Sequence, residues 1–180
     1  ILPVNAHPIC VFDDGNETDI AVAAPLLEAY DRRAQFFVCA GRVGAPGYLD
    51  RQQLRDLVAR GMEIGSHGYD HLDWRTATDD ALARETSDSK RVIEAAIGRP
   101  IAFAAAPFGA IDQRVLRRTL EAGYRGLYAS SGGFATSSEG LVPRTSLATL
   151  NMQPGALQPL LSAKAQSVFT LDINQRNYQL

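Results

Sequence analysis

Two pairs of side chains in this 180-residue sequence have the types and spacing needed to bind a metal ion and to move a proton. Asp13 and Asp14 are consecutive carboxylates at the end of an apolar run, and Gly15 follows where the backbone can turn sharply. His67 and His71 are two of three histidines and stand four residues apart, a spacing at which imidazoles can share a metal. Taken separately, the first pair is equally typical of a polar turn, and the second could be unrelated surface histidines.

Taken together, the two pairs form the donor set of a metal-dependent hydrolase. Asp14, His67 and His71 supply one carboxylate oxygen and two nitrogens, the three-ligand pattern of catalytic zinc that leaves a position for water. Water bound to zinc titrates near about 7, compared with about 9 for the aqueous ion. Asp13 is then the adjacent base that accepts a proton while the water attacks a carbonyl group.

The ends of parallel strands are expected to position these residues. Apolar runs alternate with amphipathic runs along the chain, which predicts strands joined by right-handed helical crossovers. Both candidate pairs follow predicted strands, and parallel-sheet enzymes keep their sites at the carboxyl ends of strands. We therefore expect an α/β fold, a distorted (β/α) barrel with about seven parallel strands, with a doubly wound sheet as the alternative. The length favours a single domain over residues 1–180.

The predicted elements alternate in type along the chain. The predicted strands are Ile9–Phe12, Gln35–Ala40, Glu63–Ser66, Ala102–Ala106, Gly126–Ala129, Leu141–Leu147 and Val168–Ile173. The predicted helices are Ile20–Arg32, Leu49–Arg60, Asp79–Ile97, Ile111–Ala122 and Pro154–Ala163. Asp50 and Gln53 have the spacing of a capping box, and Gly61, Gly98 and Gly123 follow helical runs where a left-handed cap is expected.

Composition argues against two classes of partner. A formal net charge of -2 at pH 7 lacks the basic excess that nucleic-acid binding requires, so no nucleic-acid partner is expected. No apolar run approaches the roughly 20 residues of a membrane-spanning helix, so no membrane span is expected. Cys10 and Cys39 lie in predicted neighbouring strands and are expected to be free thiols, which favours a cytoplasmic over a secreted or periplasmic location. Localisation stays open, since residue 1 is Ile and not Met. The sequence does not predict the oligomeric state.

The sequence resembles the polysaccharide deacetylases with a NodB-homology domain over nearly its whole length. Residues 11–15, VFDDG, are similar to the family's T-F-D-D-G motif, and His67 and His71 fit its H-[ST]-x-x-H motif with Gly68 at the Ser/Thr position. The resemblance implies that Asp13 is the base and that Asp14 and the two histidines bind zinc, or another divalent metal such as cobalt or nickel. It implies hydrolysis of N-acetyl groups on an acetylated carbohydrate substrate, an amino sugar or a polysaccharide.

Two further segments resemble family motifs in altered form. Residues 105–109, AAPFG, keep the Pro-Phe-Gly of the family's R-P-P-[YF]-G motif but lack its arginine. The resemblance implies that Pro107, Phe108 and Gly109 contact substrate and that the Phe108 backbone N–H stabilises the oxyanion; a simple turn after the strand is the alternative. Some family members carry a late arginine after a Leu-Pro pair, and Arg144 in LVPR resembles it, which implies that Arg144 orients Asp13. An exposed arginine at a loop edge is the alternative.

The family's general-acid histidine, in an L-x-H motif near the last strand, has no counterpart in this sequence. His7 and Asp172 are the remaining candidates for the acid, and neither is assigned. Two alternatives to a sugar deacetylase therefore stay open. One is hydrolysis of another amide or of an O-acetyl ester on the same scaffold, and the other is a non-catalytic carbohydrate-binding or regulatory homologue.

Two features near the histidine pair are expected to be structural. Trp74 is the only tryptophan, and packing is a more common role for one aromatic residue than stacking on a sugar. Charged residues at helical spacing on the long predicted helix are interpreted as a solvated, charge-paired face without a function. They are Arg84, Glu85, Asp88 and Arg91.

Overall fold

A computed structural model of the chain describes residues 9–130, 140–146 and 168–171, whose strands form one sheet. The strands are β1 (Ile9–Phe12), β2 (Ala34–Val38), β3 (Glu63–Ser66), β4 (Phe103–Ala105), β5 (Gly126–Ala129), β6 (Leu141–Pro143), β7 (Thr145–Ser146) and β8 (Val168–Leu171). Their order across the sheet is β6-β5-β4-β3-β2-β1-β8-β7, and every pair is parallel. The expectation of parallel strands is confirmed.

The sheet closes into a barrel through the segment that carries β6 and β7. β6 pairs with β5, β7 pairs with β8, and only Arg144 lies between β6 and β7. The two edges of the sheet are therefore joined by one short stretch of chain. The described sheet has eight strands, and counting residues 141–146 as one bent strand gives seven. The predicted distorted barrel is confirmed, and the doubly wound alternative is wrong because its edge strands would lie apart.

The helices lie between the strands in the chain and cover the outside of the sheet. They are α1 (Ala24–Ala29), α2 (Arg51–Ala59), α3 (Asp79–Ala83), α4 (Ser89–Ile97) and α5 (Gln113–Glu121). A π-helical turn, Asp19–Ala23, precedes α1, and a second one, Arg84–Asp88, joins α3 to α4. Short 3₁₀ turns follow β2 at Ala40–Arg42 and β4 at Pro107–Gly109.

Strand alternation divides the apolar residues into two clusters. Phe12 and Phe36 stack on each other in the larger cluster, which the helices cover. Val11 and Phe37, their neighbours in the chain, belong to the smaller cluster together with Tyr128. Because successive side chains of a strand point to opposite faces, the smaller cluster fills the inside of the barrel.

Local signals set the ends of the helices as predicted. The Asp50 carboxylate accepts the Gln53 backbone N–H at 2.8 Å, and the Gln53 side chain accepts the Asp50 backbone N–H at 2.8 Å, which completes a capping box at the start of α2. Gly98 ends α4 in the left-handed conformation, with φ of 74°. Cys10 and Cys39 are free thiols, as expected.

The expectation that Glu85 belongs to a solvated face is wrong. Its side chain is 0% exposed, and it lies on the buried stripe of the long helical segment together with Leu82, Ser89 and Ile93. These positions recur at three- or four-residue spacing, so helical periodicity directs Glu85 inward in spite of its charge. Arg84, Asp88 and Arg91 are on or near the surface, in ion pairs with neighbouring carboxylates or arginines.

Some predictions lie outside the described residues. They are the helix at Pro154–Ala163 and the two candidate acids, His7 and Asp172. Among the helices that the structure does describe, none combines the length and apolar character needed to cross a membrane. The single-domain organisation stays a prediction.

We predict that Leu54→Ala lowers the free energy of unfolding by about 2–5 kcal/mol, because it leaves a cavity in the core. Leu54 is 0% exposed on α2, whereas Leu26 on α1 is 59% exposed, and Leu26→Ala should change that free energy by no more than about 0.5 kcal/mol. Urea unfolding followed by circular dichroism measures both variants. Equal losses would contradict the assignment of the core.

Candidate metal centre and active site

Three side chains with metal-binding atoms converge at the carboxyl ends of β1 and β3. The candidate ligand atoms of Asp14, His67 and His71 all lie within 4.8 Å of one another. His71 Nε2 is 3.3 Å from Asp14 Oδ1, and the rings of His67 and His71 are 5.0 Å apart. The two predicted pairs, more than 50 residues apart in the sequence, therefore meet in one cluster.

Several residues at this site have a strained backbone conformation. Four described residues other than glycine have positive φ, and three of them are Asp14 at 77°, His71 at 62° and Phe108 at 59°. Positive φ is uncommon for residues with a side chain and is tolerated best by Asn, Asp and His. The surrounding contacts must fix these conformations, as is typical of functional sites.

The orientation of His67 is set by a buried hydrogen bond. Its Nδ1 lies 2.9 Å from the Ala105 carbonyl oxygen at the end of β4. A carbonyl oxygen only accepts, so Nδ1 carries a proton, and Nε2 is the nitrogen that is left available to a metal. Nε2 faces the cluster, 3.9 Å from Asp13 Oδ2. A hydrogen bond to a carbonyl is the usual way in which proteins orient a metal-binding histidine.

The chemistry of this donor set fits a divalent transition metal. Burial and the neighbouring His67 lower the pKa of His71 below its ordinary value, which favours the neutral imidazole that binds metals. Two imidazole nitrogens and one carboxylate oxygen make a three-ligand set of the kind found in catalytic zinc sites, and open coordination positions suit hydrolysis. The residues present therefore fit the metal that the sequence predicts.

Arg144, which is buried, forms an ion pair with the partly buried Asp13 beside the cluster. Arg144 Nη1 donates to Asp13 Oδ1 at 2.7 Å, and the Arg144 side chain is almost fully enclosed, so the alternative of an exposed arginine at a loop edge is wrong. Its guanidinium also lies 5.8 Å from the centre of the Phe37 ring inside the barrel. Burial raises the pKa of Asp13, but His67 and Arg144 lower it by more, so this pKa lies below its ordinary value. Asp13 is therefore ionised at neutral pH.

The turn after β4 forms one lip of the site. Pro107 is buried, while Phe108 is 70% exposed and packs the edge of its ring against His71 at 4.8 Å between ring centres. Gly109 has φ of 65°, and a Cβ there would lie 2.9 Å from the Cβ of Ser130, so only glycine fits. The Pro-Phe-Gly segment thus presents an exposed aromatic ring next to a candidate metal ligand.

Two residues that were not predicted from the sequence contact Asp14. Arg42 Nη1 donates to Asp14 Oδ1 at 2.8 Å, and the Cys39 Sγ lies 3.8 Å from the same oxygen. Burial raises the pKa of the Cys39 thiol well above its ordinary value, and Cys39 is not part of the cluster of candidate metal-binding atoms among the described residues. Both residues follow β2, the neighbour of β1, and the rule that sites lie at strand ends could have found them.

Trp74 and Glu85 form a buried pair beneath the histidine loop. The Trp74 side chain is fully buried, and its indole N–H donates to Glu85 Oε2 at 3.0 Å. A buried ring cannot stack on a sugar, so the packing role expected for Trp74 is confirmed. The role of Glu85 was not predicted.

Comparison with known proteins identifies relatives of this sequence. A family profile described as polysaccharide deacetylase matches residues 8–127, a range that includes the metal cluster, Asp13 and the Pro-Phe-Gly turn and ends before Arg144. A peptidoglycan-N-acetylglucosamine deacetylase of Bacillus cereus is 33% identical over 126 residues, which are 69% of this chain and 57% of that protein. The chain spans a little over half the length of the curated relatives it matches, 56% and 57%.

Solved structures share the fold at lower identity. The Streptococcus pyogenes deacetylase PplD in complex with acetate superposes with a TM-score of 0.79 at 24% identity, covering 85% of this chain and 69% of that one. A mutant of a CE4 family pseudoenzyme with restored enzymatic activity superposes with a TM-score of 0.70 at 17% identity, covering 94% of this chain and 57% of that one. These similarities confirm the type of barrel that the sequence resemblance implies.

We predict that Asp14→Asn weakens zinc binding by more than about 100-fold, because an amide oxygen carries no charge and the loss should exceed the roughly 10–100-fold typical of outer-shell partners. Asparagine tolerates positive φ, so the fold should remain. Asp70→Asn is the matched control, since Asp70 lies in the histidine loop but pairs with Arg84 at 2.7 Å, away from the cluster. Competition with a chromogenic chelator measures the zinc affinity. Equal affinities for the two variants would remove Asp14 from the ligand set.

Proposed function

We propose that this chain, which belongs to the polysaccharide deacetylase family, hydrolyses N-acetyl groups of an amino sugar or polysaccharide with the help of a divalent metal. One observation carries the proposal: an ionised carboxylate, Asp13, lies directly beside the cluster of Asp14, His67 and His71. Deacetylation by hydrolysis needs both a group that polarises the amide carbonyl and a base that takes a proton from water. The two parts stand side by side here.

The three ligands would hold zinc, or cobalt or nickel, through His67 Nε2, a His71 nitrogen and the Asp14 carboxylate. When bound, the metal would act as a Lewis acid that polarises the acetyl carbonyl and lowers the pKa of water. Arg42 Nη1 donates a hydrogen bond to Asp14 Oδ1 at 2.8 Å and so orients this carboxylate. Partners of this kind orient a ligand and tune its affinity.

The two oxygens of Asp13 have separate tasks. Oδ1 is held by Arg144 at 2.7 Å, which leaves Oδ2 facing His67 Nε2 at 3.9 Å. Oδ2 is therefore the atom that accepts the proton of the attacking water. The lowered pKa keeps Asp13 ionised and ready as a base at neutral pH. General-base catalysis of this kind contributes about 10²–10⁴-fold to a rate.

Protonation of the leaving amine completes the reaction. The chain has three histidines, and two of them, His67 and His71, belong to the candidate metal cluster. Neither of these two replaces the family's general-acid histidine. We assign this step to Asp13, which returns the accepted proton to the nitrogen as the C–N bond breaks. The products are acetate and the free amine of the sugar. His7 and Asp172 are the other candidates and lie outside the described residues.

The turn at Pro107–Gly109 is suited to binding the acetylated sugar. Phe108 exposes its ring at the lip of the site, next to His71, and aromatic rings commonly pack on the apolar face of sugars. Its backbone N–H lies in the same turn and is the proposed donor to the developing oxyanion, worth about 3 kcal/mol where such donors have been removed. The Bacillus cereus relative is a peptidoglycan-N-acetylglucosamine deacetylase, which supports N-acetylglucosamine as the sugar.

A non-catalytic carbohydrate-binding role is the second candidate function. It is favoured by the missing general-acid histidine, and one solved relative is described as a pseudoenzyme whose activity was restored by mutation. The ion pair of Asp13 and Arg144 favours the enzyme, because a binding protein needs no carboxylate oriented by a buried arginine beside the candidate metal ligands.

We predict zinc-dependent release of acetate from N-acetylglucosamine oligomers, with kcat reduced at least about 100-fold in Asp13→Asn because the amide cannot accept the proton. Zinc content of this variant should equal that of the unaltered protein, and Asp70→Asn should keep full activity. Acetate is measured by a coupled enzymatic assay at saturating substrate. Undiminished turnover in Asp13→Asn would refute the assigned base. Zinc binding and saturable sugar binding without acetate would favour the second candidate function.

We predict that Arg144→Gln lowers kcat by about 10–100-fold with a smaller change in KM, because Asp13 loses the partner that orients it. The variant should also unfold more easily, by about 1–3 kcal/mol, since it leaves a partly buried carboxylate without its hydrogen-bond partner. Arg118→Gln is the control, an exposed arginine paired with Asp79 and Glu121 that should behave as the unaltered protein. A kcat unchanged in folded Arg144→Gln would show that the ion pair serves stability alone.

A further inference from the structure

Glu85 is a buried carboxylate that the proposed reaction does not use. It lies on the π-helical turn Arg84–Asp88, directly behind the loop that runs from His67 to His71. Its side chain is fully buried, and within the described residues it forms no ion pair with a lysine or arginine. A buried charge without a counter-ion is costly unless hydrogen bonds compensate for it.

Three N–H groups provide that compensation. Asp70 N donates to Glu85 Oε1 at 2.7 Å, Tyr69 N donates to Oε2 at 3.2 Å, and the indole of Trp74 donates to Oε2 at 3.0 Å. Hydrogen bonds to an ionised acceptor are about twice as strong as those between neutral groups. Two of the three donors are backbone groups of the residues between the histidines.

Three consecutive backbone N–H groups of the loop between the histidines donate hydrogen bonds to side chains. Gly68 N donates to Ser66 Oγ at 3.1 Å, and the next two amides, of Tyr69 and Asp70, both point at Glu85. Gly68 has φ of 88° and His71 has φ of 62°, so the loop is turned tightly at both ends. Such a turn directs successive N–H groups to one anion, and here the anion is the side chain of Glu85.

The carboxylate of Glu85 lies where a side chain at position 68 would be. A Cβ at position 68 would overlap Oε2 of Glu85, so no larger residue fits while the carboxylate is in place. The family motif has Ser or Thr at this position, and this chain departs from it. The space that a side chain would fill is occupied by the carboxylate that binds the loop.

We propose that Glu85 is a positioning residue of the metal site, whose carboxylate sets the loop conformation that directs His71 toward Asp14. The inference rests on the proposed function in that the cluster must bind a metal. Glu85 touches neither the ligand atoms nor the substrate site. It acts through the backbone of Tyr69 and Asp70, so its loss alters the affinity for the metal.

The test compares Glu85→Gln with Glu94→Gln by zinc affinity, measured by competition with a chromogenic chelator. Glu94 is a matched control because its carboxylate accepts a backbone N–H, that of Ile101 at 2.9 Å, on the adjoining helix α4 and away from the loop. Glu85→Gln replaces one acceptor oxygen with an NH₂ group that faces an N–H donor. We expect zinc affinity to fall about 10–100-fold in Glu85→Gln and to stay within about twofold in Glu94→Gln.

Thermal melting separates positioning from general stability. Both glutamate variants should melt at a lower temperature without zinc, but only Glu85→Gln should lose most of the increase in Tm that zinc confers. Equal zinc affinity in Glu85→Gln and Glu94→Gln would overturn the inference. Absence of zinc binding by the unaltered protein would instead overturn the proposed function.

A second pair of variants decides the matter if Glu85→Gln does not fold. Gly68→Ala and Gly98→Ala both place a side chain at positive φ, of 88° and 74°, but only the first meets Glu85, since the Cβ at 98 meets nothing within 4 Å. Gly68→Ala should therefore displace the carboxylate and weaken zinc binding at least about 10-fold, whereas Gly98→Ala should not. Equal zinc affinity in these two variants would overturn the inference.

Discussion

The ion pair between Asp13 and Arg144 links the fold of this protein to its chemistry. Asp13 follows the first strand, and Arg144 is the single residue between β6 and β7, where the chain passes from one edge of the sheet to the other. The guanidinium of Arg144 can be enclosed in this way because a carboxylate pairs with it, since desolvation of an unpaired charge is costly. Closure of the barrel therefore brings the arginine to the carboxylate that we propose as the base.

The metal cluster depends in the same way on neighbouring strand ends. Ala105 at the end of β4 orients His67 through its carbonyl, Arg42 after β2 holds Asp14, and Glu85 behind β3 holds the loop that carries His71. Asp14, His67 and the loop that carries His71 thus each contact a residue on another element. Positive φ at Asp14 and His71 is disfavoured in isolation, and these partners stabilise it.

The site departs from its family at three positions, and the structure relates them to one another. The arginine of the third motif is absent, and Arg144 supplies a guanidinium to Asp13 from the closing strand. The Ser or Thr between the histidines is replaced by Gly68, beside which the Glu85 carboxylate lies. The general-acid histidine has no counterpart in the sequence, and the proposed mechanism assigns its step to Asp13. For two of these changes, a residue outside the motif occupies the place: Arg144 beside Asp13 and Glu85 beside Gly68.

The sequence by itself determined the alternation of strands and helices, the parallel sheet and the grouping of Asp14, His67 and His71 as a candidate metal site. These features follow from local periodicity and from the rule that parallel strands bring their carboxyl ends together. Only the tertiary structure decided that Glu85 is buried and that Arg42 reaches Asp14, because a charged residue carries no local sign of the partner it will meet. It also decided that Arg144 is enclosed beside Asp13, 131 residues away in the chain, since that contact exists only once the barrel has closed.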